Sequence, residues 1–145
     1  MRAIFLGIIA ICLTSCGIST SLYYWGGEKK DATLYENLTY KNYDKQTPET
    51  ICKLICMYDD VVNNPGGSRK LPPPGICAEY GYILLTPGNA ELFAEHATSS
   101  QKKTFASTEY ATIFPELGKQ MMLKEVELYP ESAKFISPLI DRLCK

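Results

Sequence analysis

The sequence has few of the residues from which active sites and nucleic-acid interfaces are built. It has a single histidine, His96, which excludes a multi-histidine metal site, and we expect this residue at the surface. Its 15 basic and 16 acidic residues form no long block of one sign, which argues against a nucleic-acid partner. The glycine pairs Gly26-Gly27 and Gly66-Gly67 lack the lysine and the following helix that hold a phosphate group. We therefore predict no cofactor, no metal and no enzymatic activity.

The sequence also lacks an apolar run long enough to span a membrane. Its N-terminal apolar stretch, Ala3 to Cys12, has about half of the ~20 residues that a spanning helix requires. The stretch follows the basic Arg2 and precedes Leu13-Thr14-Ser15-Cys16, an order typical of a lipoprotein signal that ends in a lipobox. We predict a signal peptide over residues 1–15 and a diacylglycerol on the thiol of Cys16, which leaves a mature chain of 130 residues.

The residues that follow Cys16 bear on its destination. Residues 17–21 contain neither an aspartate, which would retain the protein at the inner membrane, nor an acidic run of the kind that directs some lipoproteins to the cell surface. We therefore expect the protein on the periplasmic face of the outer membrane. Because the chain has no polybasic segment, the acyl chains on Cys16 must provide the attachment.

Cysteine use is open to several interpretations. With Cys12 removed and Cys16 lipidated, four thiols remain: Cys52, Cys56, Cys77 and Cys144. The compartment permits disulfides, but Cys52 and Cys56 lie four residues apart on a predicted helix, where a bridge between them would be strained. Two pairings stay open, Cys52–Cys77 with Cys56–Cys144 or Cys52–Cys144 with Cys56–Cys77. Free core thiols are an alternative, and a zinc site is a weaker one because no short pair of ligands is present.

The mature chain is predicted to be a short tether followed by one helical domain. Residues 16–30 contain the tether and an aromatic segment with the only tryptophan, and residues 31–145 form the domain. A capping box at Thr33 and Glu36 and the pair Thr47-Pro48 each predict the start of a helix. Because no alternating β pattern of useful length is present, the fold class is predicted as all-α, with antiparallel helical hairpins.

The second half has its own helix boundaries. A helix is predicted over Ile76 to Leu85, and Asn89 is expected to cap a short one that follows. The hydrophilic stretch Thr98 to Thr104 is predicted as a loop. Pro115 is predicted to open another helix, which Pro130 ends.

A pattern of small and large residues in this half predicts a tetratricopeptide-like hairpin. Gly81, between Tyr80 and Leu84, matches the first helix of such a unit, where glycine allows two helices to approach closely. Gly118 and Met122 match the packing positions of the second helix. The two helices are separated by more residues than the unit normally has, so we predict an inserted segment over about residues 89–115.

Three stretches of sequence carry a resemblance to a known family. They are residues 22–27 with 34–36, residues 73–75 with 78–82, and residues 128–132, and they contain Trp-Gly-Gly, Pro-Pro-Gly and Tyr-Pro-Glu-Ser. In this order they resemble a family of small bacterial lipoproteins of unknown function. Genes of that family neighbour those of CsgG-like, curli-type channel lipoproteins and a third small lipoprotein. The resemblance implies an accessory subunit of an outer-membrane assembly and supplies no catalytic residues.

Three functions stay open at this point. The leading hypothesis is a binding module for a protein partner, with aromatic contact residues predicted at Tyr23, Tyr24, Trp25, Tyr80 and Tyr82. The second is an envelope hydrolase that acts on glycan or peptide through paired acids such as Glu79 and Glu95. The third is a structural spacer lipoprotein or a module that sequesters a small ligand.

Overall fold

The computed structural model describes residues 21–29 and 31–144, and these residues form an all-α domain. The predicted signal peptide and Cys16 lie outside the described residues. The elements are β1 Glu28–Lys29, β2 Ala32–Thr33, α1 Leu34–Lys45, α2 Pro48–Asn63, α3 Ile76–Leu85, α4 Asn89–His96, α5 Ser99–Lys102, α6 Tyr110–Leu128, a 3-10 turn Pro130–Ser132 and α7 Ala133–Leu143. Within this part of the chain, no helix is both long and apolar enough to cross a membrane.

Side-chain caps fix the starts of α1 and α2, as the sequence predicted. The hydroxyl of Thr33 accepts from the backbone N–H of Glu36, and the Glu36 carboxylate accepts from the N–H of Thr33 at 2.7 Å. Thr47 caps α2 in the same way, with Pro48 as the first helical residue. Each cap contributes about 1 kcal/mol by satisfying N–H groups that have no partner within the helix.

An N-terminal strap, residues 21–27, lies against the helices. The N–H of Arg69 donates to the carbonyl of Leu22 at 3.1 Å, and the N–H of Tyr35 donates to that of Trp25 at 3.2 Å. The first bond holds the strap to the loop between α2 and α3, and the second holds it to α1. The described part of the predicted tether is therefore docked on the domain.

Helices α3 and α6 pack very closely at two glycines. A Cβ built on Gly81 would lie 2.7 Å from the carbonyl oxygen of Gly118, and a Cβ on Gly118 would lie 3.0 Å from that of Gly81. The N–H of Gly75, just before α3, donates to the carboxylate of Glu125 near the end of α6. The contacts thus run in opposite directions along the two helices, and the close approach expected at Gly81 and Gly118 is confirmed.

The predicted insertion, residues 89–115, is more than a peripheral segment, and its last residues lie within α6. It contributes four aromatic rings that pack together with centroid separations of 5.1–5.8 Å: Phe93, Phe105, Tyr110 and Phe114. Phe93 and Phe114 are fully buried. The predicted loop over Thr98 to Thr104 has no buried side chain, but it contains the one-turn helix α5, which a capping box between Thr98 and Gln101 starts.

Two predicted helix starts are wrong. Pro115 is the sixth residue of α6, which begins at Tyr110. Proline is tolerated there because the carbonyl it leaves without a partner belongs to the exposed first turn. Asn89 does not cap α4, since Gly88 occupies the cap position, and the Asn89 amide instead donates to the carbonyl of Ile83 at 2.7 Å.

Candidate functional site

An open groove of about 550 Å³ lies where α1 ends, α2 begins and α3 ends. We call it the Glu79 groove. Its volume is within the range typical of ligand-binding clefts. Its walls are mainly apolar, with several polar groups and two tyrosines. Its lining includes Asn42, Ile51, Leu54, Tyr58, Glu79, Tyr82 and Leu139.

Helical periodicity places these side chains on common faces. Ile51 and Leu54 are three residues apart on α2, so they project from the same side of that helix. Glu79 and Tyr82 are similarly spaced on α3 and form the facing wall. Leu139 comes from α7, the last helix, which lies far away in sequence.

A second depression, of about 600 Å³, lies between α1 and α2. Its walls include the charged side chains of Asp31, Lys41 and Lys53. It has no aromatic residue in its lining, and Glu79 does not border it. The Glu79 groove is therefore the better candidate for binding an apolar group.

Two tyrosines hold the carboxylate of Glu79. The hydroxyl of Tyr58 donates to Oε2 at 2.7 Å, and the hydroxyl of Tyr35 donates to Oε1 at 3.0 Å. Burial and the neighbouring carboxylate raise the pKa of Tyr35 to about 12, and the same causes raise the pKa of Tyr58. Both hydroxyls therefore remain protonated at neutral pH and act as fixed donors to Glu79.

Asn42 adds an unpaired acceptor to the groove. Its side-chain carbonyl oxygen is buried and has no hydrogen-bond partner. Leaving this acceptor unpaired costs about 1–3 kcal/mol, and a group in the groove reaches it only after the Asn42 side chain turns. The groove itself presents an apolar surface and the carboxylate of Glu79.

The structure corrects the prediction that Tyr80 is a partner contact. Tyr80 is fully buried, and its ring lies 6.1 Å from that of Tyr58 on α2. Its hydroxyl donates to Oδ1 of Asp59 at 2.9 Å, and burial raises the pKa of both groups. Tyr80 therefore belongs to the core.

Tyr24 and Trp25 are engaged within the chain. The hydroxyl of Tyr24 donates to the carboxylate of Asp60 at 3.0 Å. The ring of Trp25 packs against that of Tyr35, with centroids 5.0 Å apart. Both side chains are half-buried and anchor the strap to the helices.

Tyr23 and Tyr82 have more open surroundings. Tyr23 is half-buried on the strap, with the guanidinium of Arg69 6.0 Å from its ring. Tyr82 is 54% exposed and borders the Glu79 groove. Among the predicted aromatic contacts, Tyr82 is therefore the residue that the structure places at the candidate site.

The two acids of the hydrolase hypothesis are not brought together in the groove. Glu79 borders it, whereas Glu95 lies on α4 outside its lining. The carboxylate of Glu95 is 3.7 Å from the imidazole of His96, which is exposed, as the sequence predicted. The Glu79 carboxylate, in turn, already accepts from two tyrosine hydroxyls.

The four cysteines of the domain are free thiols, so neither predicted disulfide pairing is present. Cys52 and Cys77 are fully buried in the core, and burial raises the pKa of each thiol to about 11. Cys56 is half-buried, with the hydroxyl of Thr104 3.7 Å from its sulfur, and Cys144 ends α7. The described residues contain no group of three or more His, Cys, Asp or Glu that could hold a metal ion.

Glu125 on α6 is a buried acid whose side chain is only 2% exposed. Its Oε1 accepts from the N–H of Gly75 at 2.8 Å, while Oε2 has no partner. Burial raises its pKa despite this hydrogen bond. The signal was present in the sequence, because Glu125 follows Gly118 and Met122 at spacings that put all three on one face of a helix.

The described residues define a small all-α domain with an open groove and a docked N-terminal strap. No family model, curated protein or solved structure matches this chain.

Proposed function

We propose that the protein is a non-enzymatic lipoprotein that binds a protein partner at the periplasmic face of the outer membrane. The lipid on Cys16 anchors it, and it acts as an accessory subunit of an envelope assembly. Following the resemblance, its partners are a CsgG-like channel lipoprotein and a companion small lipoprotein. The Glu79 groove is the observation that carries this proposal.

The groove suits a short protein segment that carries an apolar side chain beside a basic one. Ile51, Leu54 and Leu139 offer aliphatic surface to the apolar group. The carboxylate of Glu79, fixed by two tyrosines, provides a counter-charge for the basic group. Such sites bind through apolar contact and are oriented by a few polar groups.

We also propose that α3 and α6 form a tetratricopeptide-like hairpin, with α4 and α5 inserted between its helices. The close approach at Gly81 and Gly118 supports this interpretation, since small residues at such positions allow the two helices to pack together. Helical hairpins of this class present side-chain-rich surfaces to protein partners and carry no preorganised reactive group.

The alternative of an envelope hydrolase draws on the presence of Glu79 in the groove. A glycosidase needs a second carboxyl about 5–10 Å from the first, with one of them free to donate a proton. Glu95 does not border the groove, and both oxygens of Glu79 accept from tyrosines. These contacts favour binding over hydrolysis.

Pull-down of the tagged, full-length protein from detergent-solubilised membranes tests the binding proposal. We expect the CsgG-like lipoprotein, detected by mass spectrometry, to be recovered with the wild type and several-fold less with Tyr82→Ala. Tyr43→Ala is the matched control, because Tyr43 is 87% exposed on α1 and does not border the groove. Equal recovery with both variants would contradict a role for the groove.

A further inference from the structure

The strap and the loop after α2 together form a second surface, beyond the C-terminal end of α2. The N–H groups of Ser68 and Arg69 donate to the carbonyls of Ser21 and Leu22 at 3.0 and 3.1 Å. The two segments touch so closely that a Cβ on Gly67 would lie 2.5 Å from the Leu22 carbonyl oxygen. We call this surface the strap face.

The strap face combines exposed leucines with basic side chains. Leu22 is 58% exposed and Leu71 is 39% exposed, and the exposed Arg69 and Lys70 lie between them in the fold. Apolar side chains that enter the headgroup region, flanked by cations that pair with lipid phosphates, are typical of surfaces that rest on an anionic bilayer.

Two acids at the C-terminal end of α2, near this face, are engaged in hydrogen bonds. The carboxylate of Asp60 accepts from the Tyr24 hydroxyl and from the side-chain amide of Asn64. Asp59 accepts from the buried Tyr80. Neither acid forms an ion pair with Arg69 or Lys70, so these cations can interact with lipid phosphates.

The sequence places the proposed lipid very near the strap face. Five residue steps separate Cys16 from Ser21, and a fully extended chain of that length spans at most about 18 Å. Because hydrogen bonds fix Ser21 and Leu22 to the domain, the strap face cannot lie farther than this from the lipid headgroups.

We propose that the strap face rests on the anionic phospholipid leaflet that holds the Cys16 lipid, an inference that rests on the proposed lipid anchor. The Glu79 groove runs along α2 from Tyr58 to Ile51, which lie 5 and 12 residues before the helix end at Asn63, or about 8 and 18 Å along the helix axis from this face. The membrane contact therefore turns the groove toward the periplasmic space, where a protein partner can reach it.

Quenching of tryptophan fluorescence by brominated lipid tests this orientation. The full-length lipidated protein would be reconstituted into vesicles of phosphatidylglycerol and phosphatidylcholine with brominated acyl chains. In a Trp25→Phe background, Leu71→Trp places a probe on the strap face, and Tyr43→Trp places a matched exposed probe near the groove end. We expect several-fold stronger quenching of the Leu71 probe, and a loss of most of that difference on adding Arg69→Glu with Lys70→Glu.

Two results would overturn the proposals separately. If mass spectrometry shows no lipid on Cys16, the proposed anchor fails. If Cys16 is lipidated and the two probes are quenched equally, the strap face does not rest on the bilayer and is left for a protein partner. Circular dichroism of each variant checks that it folds, and the unsubstituted Trp25 provides a second reporter of the strap if the Trp25→Phe background is unstable.

Discussion

The two ends of the domain use their aromatic side chains in different ways. At the strap end, Tyr24 and Trp25 are half-buried and bound to the helices. At the groove end, Tyr82 is 54% exposed and borders an open cleft. The first group stabilises the fold, whereas the second is free to contact a partner. Sequence composition alone does not distinguish these roles, because both ends carry the same residue types.

The largest expected difference between the ends is in stability. Trp25→Ala removes the ring that packs on Tyr35, and we expect it to lower the free energy of unfolding by about 2 kcal/mol. Tyr82→Ala should change it by less than about 0.5 kcal/mol, since its side chain is mostly in solvent. Urea denaturation of both variants measures these values. Equal losses of unfolding free energy in the two variants would mean that the aromatic residues at the two ends contribute equally to stability.

The strap can be tested without changing an aromatic residue. Gly67→Ala places a methyl group 2.5 Å from the Leu22 carbonyl at a positive φ, so we expect a loss of about 2 kcal/mol and easier proteolysis of the strap. Gly27→Ala is the matched control, because Gly27 also has a positive φ but nothing lies within 4 Å of its Cβ. A smaller effect at Gly67 than at Gly27 would show that the strap is not docked there.

Local signals predicted part of this architecture well. The capping box at Thr33, the Thr47-Pro48 start and the bounds of Ile76 to Leu85 depend on short-range chemistry and are confirmed. The contact between Gly81 and Gly118 was predictable because two helices that approach closely require small residues where they meet. These features could be predicted because the residues that cause them are few and specific.

The predictions that failed depend on tertiary neighbours. Tyr80 was expected at a contact surface, but it packs against α2 in the core. Pro115 lies within a helix because aromatic residues before it, such as Tyr110, pack into the core. The helix therefore begins at Tyr110, five residues N-terminal to Pro115. The groove combines Asn42 with Leu139, from the first and last helices of the domain, and no spacing rule connects them.

The buried Glu125 predicts a pH dependence at the strap end. Burial raises its pKa, so its folded-state pKa lies above the unfolded value and its contribution to stability is largest at low pH. That contribution is lost as pH rises through the raised pKa. We therefore expect the wild type to gain stability relative to Glu125→Gln as pH falls from 7 to 5. Thermal unfolding of both proteins measures this difference. Glu127→Gln, at an exposed position of the same helix, should show no such trend.

The smallest effect is expected from a segment that belongs to neither end. Residues 98–104 include α5, and none of their side chains is buried. Replacing them with a Gly/Ser linker of equal length removes the Thr98–Gln101 capping box and the contact of Thr104 with Cys56. Because the replacement changes the amount of buried apolar surface very little, we expect a loss of about 1 kcal/mol or less in the free energy of unfolding.

Pull-down of the partner should be unaffected, since no residue of this segment borders the Glu79 groove. A loss of several kcal/mol would mean that α5 is needed to hold the neighbouring aromatic cluster in place. The stabilising part of the domain would then extend well beyond the strap end.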